Sequence, residues 1–425
     1  MRLGVYSEIG RLRQVMVHAP GPEIDQMPPS MMAELLFDDI LHGPRARAEH
    51  QRFRAVMECF GVEVWDTQQL LAEALAAAAD EHRAGLLLEI DDLEGLGSEV
   101  VAELRALPAP ALARALVEGL PAQPPEREPD YLFRMTPLPN LMFTRDALVV
   151  LGDAVLIGAM SRPARQREPA LGRFIFEHHP RLGGAPVLCD FGRRRRVAFP
   201  IGVTPTLEGG DVLVLQEGIV VLGLSERTME SAADVLTERL RGHERFHTLV
   251  LVPLPKARHA MHLDTVFTRI AEDQCLLYGP MLLPGGAESV SAISIDLGDP
   301  ADWGTRRPSL LEALRRAGVE LEPVLCGGSG DYIQQAREQW SDGANSFALA
   351  PGVVMVYQRN ARTAEELGRR GYHLVSVDEM PFDSDGRCRY EFRPGKRYAI
   401  LLPGEELSRA RGGPRCMTMP LVREG

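Results

Sequence analysis

Short β-branched runs, each bounded by glycine or proline, recur along the whole chain and narrow its fold more than any other feature. Val15–Val17 precede Pro20, Val62–Val64 follow Gly61, Ile219–Leu224 follow Gly218, Leu249–Val252 precede Pro253, Val353–Tyr357 follow Gly352, and Tyr398–Leu402 precede Pro403. Each reads as a strand, because branched side chains suit a pleated surface and the flanking residues interrupt it. Helical periodicity fills several gaps, as in Arg45–Phe60 and Glu226–Arg241, the second opened by Ser225 as the expected N-cap. Strands alternating with helices predict an α/β fold.

One block breaks the rhythm. From Gln69 to Ala122 the chain is rich in leucine and alanine and almost free of aromatic residues, with Val100, Val101, Leu104 and Leu107 at helical spacing behind Ser98. This predicts an inserted all-helical subdomain over residues 69–128, closed by Pro121, Pro124, Pro125 and Pro129, between α/β stretches 1–68 and 129–425. At 425 residues the chain has length for two or three domains, or for one large barrel or propeller.

Composition removes several classes of function. The net charge of −12 disfavours a nucleic-acid surface, which needs clustered lysine and arginine, but suits a cationic small substrate. The one basic run, Arg193 to Arg196, lacks interleaved aromatics and reads as a solvated loop. Cys59, Cys189, Cys275, Cys326, Cys388 and Cys416 lie far apart without a CxxC pair, so disulfides and structural zinc are not expected and a cytoplasmic setting is. The first twenty residues carry no apolar targeting stretch, and no apolar run reaches the ~20 residues of a membrane span. No membrane association is expected.

Four motifs could carry chemistry. LPNLMFTRD packs Asn140, Phe143, Arg145 and Asp146 in front of the apolar strand Ala147–Leu151, where polar residues are also ordinary turn-formers. EGGD, Glu208 to Asp211, flanks two glycines with carboxylates; it reads as a tight turn, or as a place where backbone approaches closely and carboxylates meet a cation or a histidine. MHLDT places His262 and Asp264 on one face if extended, as a metal pair short of ligands, a satisfied core histidine, or an acid/base beside a cation-binding carboxylate. RGGPRCMTMP sets Cys416 after Gly412-Gly413 between Arg411 and Arg415. Lone cysteines are usually small buried hydrophobes, yet a Gly-rich loop and nearby positive charge favour a thiolate nucleophile.

The remaining candidates are weaker. His178, His179, His243 and His247 lack a third ligand at usable spacing, and Gly327-Gly328-Ser329-Gly330-Asp331 is followed by no lysine to cradle phosphate. Together, however, one cysteine, one histidine and several carboxylates can attack a guanidinium carbon. Carboxylates grip the planar cation, sulfur adds to carbon, and the histidine protonates the departing amine before activating water. Acidic neighbours raise a thiol pKa, so the thiolate is expected to form fully only once the cation is bound.

These motifs, in this order, resemble the arginine deiminase family of the guanidino-group modifying (pentein) superfamily. The resemblance runs nearly end to end, through GVYSEIGRLRQVMVHAPG, ELLFDD, LPNLMFTRD, EGGD, SERT, MHLDT, REQWSDGAN, APGVVMVYQRN and RGGPRCMTMP. It implies a five-bladed α/β propeller of ββαβ modules about a pseudo-fivefold axis, carrying the helical insertion. It also implies conversion of L-arginine and water into L-citrulline and ammonia, the first step of arginine catabolism by the deiminase pathway, without metal or organic cofactor. A homo-oligomer is expected.

The resemblance assigns roles residue by residue. Cys416 would form a thiouronium adduct, His262 would act as acid then base, and Asp146 and Asp264 would hold the guanidinium nitrogens. Glu208 would orient His262, with Asp211 supporting the acidic cluster. Arg165 and Arg227 would bind the α-carboxylate, Asn140 and Phe143 would line the site, Arg411 would sit on a closing loop, and Leu36 would approach through its backbone. Two features depart from the family pattern: Arg415 stands where several members carry histidine, and the stretch from Asp378 to Leu402 is longer, which could affect gating or assembly. A dihydrolase releasing ornithine, an amidinotransferase, and a propeller that binds arginine without chemistry are the rival readings.

Overall fold

The computed structural model describes residues 2–123, 128, 131–194, 205–384 and 386–424. Pro124, Pro125, Pro129, Arg195 and Arg196 lie outside the described residues. The β-branched runs become strands within a few residues of their expected limits, at Leu12–Val17, Glu63–Asp66, Ile219–Leu224, Thr248–Pro253, Val353–Tyr357 and Tyr398–Leu402.

One three-strand unit recurs in five sheets. Its central strand pairs antiparallel with one neighbour and parallel with another. The centres are Leu12–Val17, Ala154–Ile157, Ile219–Leu224, Gln274–Leu277 and Val353–Tyr357. Their antiparallel partners are, in turn, Met419–Arg423, Leu148–Leu151, Val212–Gln216, Phe267–Arg269 and Phe347–Ala350. Their parallel partners are Glu63–Asp66, Val187–Asp190, Thr248–Pro253, Glu322–Leu325 and Tyr398–Leu402. A parallel pair needs a crossover, and helices Gly43–Cys59, Arg167–His178, Glu230–Arg241, Leu310–Arg316 and Ala361–Arg369 lie along these connections. All six residues of Ile219–Leu224 are buried, as expected of a strand covered on both faces. The fold is therefore mixed α/β, and among the described residues none of the sheets closes on itself.

Between the first two units stand four helices, Thr67–Ala77, Asp80–Glu94, Ser98–Ala106 and Ala109–Glu118. Asp66 caps the first by accepting from the N–H groups of Gln68 and Gln69. Val100 and Leu104 turn inward, whereas Val101 and Leu107 are only half-buried. Leu70, Leu87, Leu112 and Leu116 share one apolar cluster with Val150, Ile157 and Phe174, so the block is fastened to the second sheet. No helix among the described residues is long and apolar enough to cross a membrane.

Ser225 does not cap the helix it precedes. That helix begins at Glu230 behind Met229, which makes no side-chain cap. The Ser225 hydroxyl instead accepts from the N–H groups of Arg227 and Thr228 and donates to Asp211 at 2.6 Å. A buried carboxylate needs the donor more than the helix needs the cap. The longer stretch after Asp378 folds over helix Gly43–Cys59, with Phe392 edge-on to Phe60 and Tyr398, and Arg52 over Phe382.

Candidate active site

Each of the five units delivers a polar group one to three residues ahead of its antiparallel strand. Asp146 precedes Leu148–Leu151, Asp211 precedes Val212–Gln216, Asp264 precedes Phe267–Arg269, Asn345 precedes Phe347–Ala350, and Cys416 precedes Met419–Arg423. These turns converge on a narrow cavity with about 390 Å³ of space free of atoms. Of the predicted residues, Leu36, Asn140, Phe143, Asp146, Arg165, Arg227, His262, Arg411 and Cys416 line it. Glu208 and Asp264 are fully buried and contact His262 and Cys416 from behind, and Asp211, equally buried, accepts from the N–H of Leu263 next to His262.

His262 has extended backbone, but Asp264 falls within the 3₁₀ turn Leu263–Thr265, so the two do not share a strand face as their spacing suggests. The turn sends them to different partners. His262 Nε2 lies 2.9 Å from Glu208 Oε2, and its Nδ1 lies 3.7 Å from Asp146 Oδ1. The other Glu208 oxygen accepts from the Ser161 backbone N–H at 2.9 Å and hydroxyl at 3.0 Å. Gly210 makes this possible: a Cβ there would meet His262 Nδ1 at 2.5 Å, so the imidazole rests directly on bare backbone.

Burial works against a charge on His262, yet Asp146, Glu208 and Asp211 together push its pKa up to about 9. Burial likewise opposes ionisation of Glu208, but His262 and Arg227 hold its carboxyl down to about 2. Desolvation wins at Asp211, whose pKa rises to about 6 despite His262 and Ser225. Asp146, Glu208 and His262 offer atoms within 4.8 Å of one another, a spacing a metal could use. An imidazole protonated on both nitrogens has no lone pair for a metal, and Glu208 already accepts twice from Ser161 and once from His262. The trio is built to hold a proton.

Cys416 is held by Asn345. The Asn345 side-chain carbonyl accepts from the N–H groups of Arg415 and Cys416, while its amide donates to Cys416 Sγ at 3.1 Å. The sulfur also lies 3.6 Å from Asp264 Oδ2. Burial raises the thiol pKa well above its usual range, and Asp264, Asp146 and Asp342 raise it further, against the opposing charge of Arg415. Burial and three carboxylates thus outweigh the nearby positive charge in the resting site, in the direction expected of acidic neighbours.

The cavity arginines are engaged elsewhere. Arg411 donates to the Trp340 carbonyl at 2.7 Å and stacks 3.5 Å from the Trp340 ring centroid. Arg165 grips Glu168 with two nitrogens at 2.8 Å each and Asp146 Oδ2 at 2.6 Å, so most of its fork is committed. Arg227 is looser, with Glu226 at 3.1 Å and Glu208 at 3.9 Å. Asn140 donates to the Leu35 carbonyl, and the Leu36 carbonyl accepts from Arg258 at 2.7 Å. Phe143 packs so closely on Gly412 that a Cβ there would lie 2.2 Å from the ring.

Leu36, Asp342 and Arg411 are the non-glycine residues with positive φ among those described, and two of them line the cavity. Backbone strain thus concentrates at this site. Asp146, which lines the cavity, and Asp264, whose Oδ2 lies 3.6 Å from the sulfur, each keep one buried oxygen, Oδ1, without a hydrogen-bond partner. Such groups are rare and each demands a donor. A planar cation rich in N–H groups meets that demand for both.

Asn345, Asp342, Ser161 and Glu168 escaped the residue-by-residue reading. Asn345 alone had a usable signal, its place just ahead of a strand, matching Asp146 and Cys416. The others are ordinary polar residues whose importance arises only from what folding puts beside them.

Comparison with known proteins agrees with this chemistry. The family profile described as arginine deiminase matches residues 33–105 and 123–423. An arginine deiminase from Rhodococcus opacus (strain B4) is 35% identical over 437 residues, covering 99% of this chain and 98% of the relative. One from Clostridium perfringens is 34% identical over 448 residues, again covering 99% and 98%. Among solved structures, the saxitoxin-pathway amidinotransferase SxtG from Microseira wollei superposes with a TM-score of 0.53 at 14% identity, covering 100% of this chain and 98% of its own. At that identity the likeness speaks to fold alone.

Proposed function

The chain belongs to the arginine deiminase family of the pentein superfamily, and we infer from that premise that it hydrolyses L-arginine to L-citrulline and ammonia. The observation that carries the assignment to this cavity is the pair of carboxylates Asp146 and Asp264, one 3.7 Å from His262 Nδ1 and the other 3.6 Å from Cys416 Sγ, each with an oxygen that has no hydrogen-bond partner.

In this reading the guanidinium donates to the Asp146 and Asp264 carboxylates, and its charge offsets the groups that keep Cys416 protonated, so the thiol gives its proton to solvent as substrate binds. Sulfur adds to the guanidinium carbon. His262, a proton carrier at neutral pH, gives its proton to the departing nitrogen, and ammonia leaves a thiouronium adduct on Cys416. The now neutral imidazole takes a proton from water as the water's oxygen attacks the same carbon. Collapse breaks the carbon–sulfur bond, the hydroxyl proton passes to the departing sulfur, and citrulline and the Cys416 thiol are released. Glu208 orients His262 throughout, with Asp211 behind it. Arg227, with the remaining N–H capacity of Arg165, meets the α-carboxylate; Asn140, Phe143 and the Leu36 backbone shape the pocket, and Arg411 covers it.

The repeated three-strand unit supports a five-bladed α/β propeller, with 1–68 and 129–425 as the catalytic domain and 69–128 as a helical insertion. Cysteines widely spaced in the sequence and all free, Cys59 and Cys388 being neighbours without a disulfide, support a cytoplasmic setting, and exposed Trp303, Tyr332 and Ile333 support self-association into a homo-oligomer. The substrate partner is L-arginine; the chemistry needs no metal or cofactor, and the acidic chain offers nothing to nucleic acid or membrane.

The test is a mass-resolved assay with L-arginine, scoring citrulline, ornithine and ammonia in wild type and Cys416→Ala. Citrulline and ammonia in equal amounts, absent from the mutant, are expected. Ornithine as main product would move the chain to dihydrolase chemistry, and arginine binding without product would make it a binding protein.

A further inference from the structure

Arg415 is a fully buried arginine that touches neither the cavity nor water. Its Nε and Nη2 meet the two oxygens of Glu8 at 3.0 Å each, its Nη2 also donates to the Val212 carbonyl at 2.9 Å, and its Nη1 donates to Asp264 Oδ2 at 2.8 Å. Glu8 comes from the opposite end of the chain, in the turn before Leu12–Val17, and is itself buried. Asp264 therefore has one oxygen clamped and the other without a partner.

We propose that Glu8 and Arg415 form a positioning clamp that fixes the Asp264 carboxylate, whose Oδ2 lies 3.6 Å from Cys416 Sγ, at one angle to the substrate guanidinium. The proposal rests on the reading that Asp264 grips the guanidinium. A carboxylate can rotate about its last bond; two restraints on Arg415, from Glu8 and from the Val212 carbonyl, pass through Nη1 to Oδ2 and remove that freedom. Arginine suits the task because its planar fork holds two anions at a set angle, which a lysine point charge cannot do.

The clamp also sets charge near the sulfur. The positive charge of Arg415 favours the Cys416 thiolate, against Asp264, Asp146 and Asp342. Around the clamp itself, Arg145 and Arg423 face Glu8, and burial with the charge of Arg415 lowers both of their pKa values, Arg145 to about 9 and Arg423 to about 10. A positive charge is therefore concentrated behind Asp264 at Arg415, where it is paired on both sides.

The experiment compares Arg415→Gln, Arg415→Lys and Glu8→Gln with wild type in two measurements. The first is kcat and KM for L-arginine. The second is the pH dependence of Cys416 alkylation by iodoacetamide without substrate, which needs no turnover and so stands whatever the product proves to be. Arg415→Gln is expected to lower kcat/KM about 100-fold, in line with breaking one partner of a buried charge pair, and to move the alkylation midpoint to higher pH. Arg415→Lys should restore the alkylation midpoint but recover KM only in part. Glu8→Gln, which touches neither substrate nor sulfur, should raise KM about tenfold without raising the midpoint, because a negative charge has been removed.

A folded Arg415→Gln enzyme with kcat/KM within threefold of wild type and an unmoved midpoint would overturn the clamp. If Arg415→Gln does not fold, Glu8→Gln decides: a wild-type KM overturns the proposal and a raised KM supports it. Wild type that alkylates and binds arginine yet makes no citrulline would instead count against the deiminase reading.

Discussion

Gly210→Ala is the sharpest perturbation the site allows, since it adds one methyl and no charge. Gly210 lies in the 3₁₀ turn Gly209–Asp211, a backbone that alanine adopts freely. The new carbon would lie 2.5 Å from His262 Nδ1 and 2.7 Å from its Cγ, roughly 1 Å inside ordinary carbon contact. Glu208 holds the far nitrogen at 2.9 Å, so a ring displaced by that amount leaves hydrogen-bond range. A misplacement of ~1 Å costs on the order of 100-fold in rate, which corresponds to about 2.7 kcal/mol of barrier. Overpacking should lower stability by about 1–3 kcal/mol as well. Steady-state citrulline production gives kcat, thermal melting gives stability, and calorimetry gives arginine affinity. Gly4→Ala, where an added carbon meets nothing within 4 Å, serves as the neutral control. A folded Gly210→Ala enzyme with kcat within threefold of wild type would refute the idea that the ring is pinned between backbone and Glu208.

Asn345→Ala removes the amide donor to Cys416 Sγ and the acceptor for two backbone N–H groups, so kcat should fall about 10- to 100-fold with citrulline still the only product; a change in product ratio would speak against a purely anchoring role. Arg227→Ala should raise KM for L-arginine far more than for a carboxylate-free analogue such as agmatine, and equal effects on both would remove Arg227 from carboxylate recognition. The raised pKa of His262 means that its favourable charge is fully present below its ordinary value of 6.5 and is lost as pH rises through about 9. Activity should therefore fall along an alkaline limb near pH 9. Glu208→Gln should shift that limb toward lower pH, and a limb that stays put would mean another group sets it.

Strands and catalytic types were legible in the sequence because both depend on local chemistry. Ile219–Leu224 is strand from end to end, as its branched, Gly-bounded pattern demands. The glycines of EGGD announced a close approach, and the approach is His262 on Gly210. What stayed hidden was competition between partners far apart in the chain. Ser225 reads locally as a helix cap, but Asp211, fourteen positions earlier, claims its hydroxyl. Arg415 reads as a neighbour that activates Cys416, but Glu8, 407 positions away, and Asp264 claim its guanidinium. Asn345 could have been found by position, since four other units place a site residue just ahead of the same strand.

A nucleophile buried among carboxylates looks self-defeating, because Asp264, Asp146 and Asp342 all hold Cys416 as a thiol. The contradiction lasts only while the cavity lacks a cation. Each carboxylate that suppresses the thiolate in the resting site also attracts the guanidinium, and two of them retain an oxygen with no other partner. Binding therefore converts the groups that oppose ionisation into groups already neutralised, and the same charge that satisfies Asp146 and Asp264 lowers the cost of a thiolate a few ångströms away. On the proposed assignment of Cys416, Asp146 and Asp264, substrate recognition and nucleophile activation are one electrostatic event. A thiol kept protonated until that event is also the form least open to adventitious oxidation or alkylation. A histidine kept protonated by Asp146, Glu208 and Asp211 completes the logic, since the proton the leaving nitrogen needs is in place before the sulfur can attack.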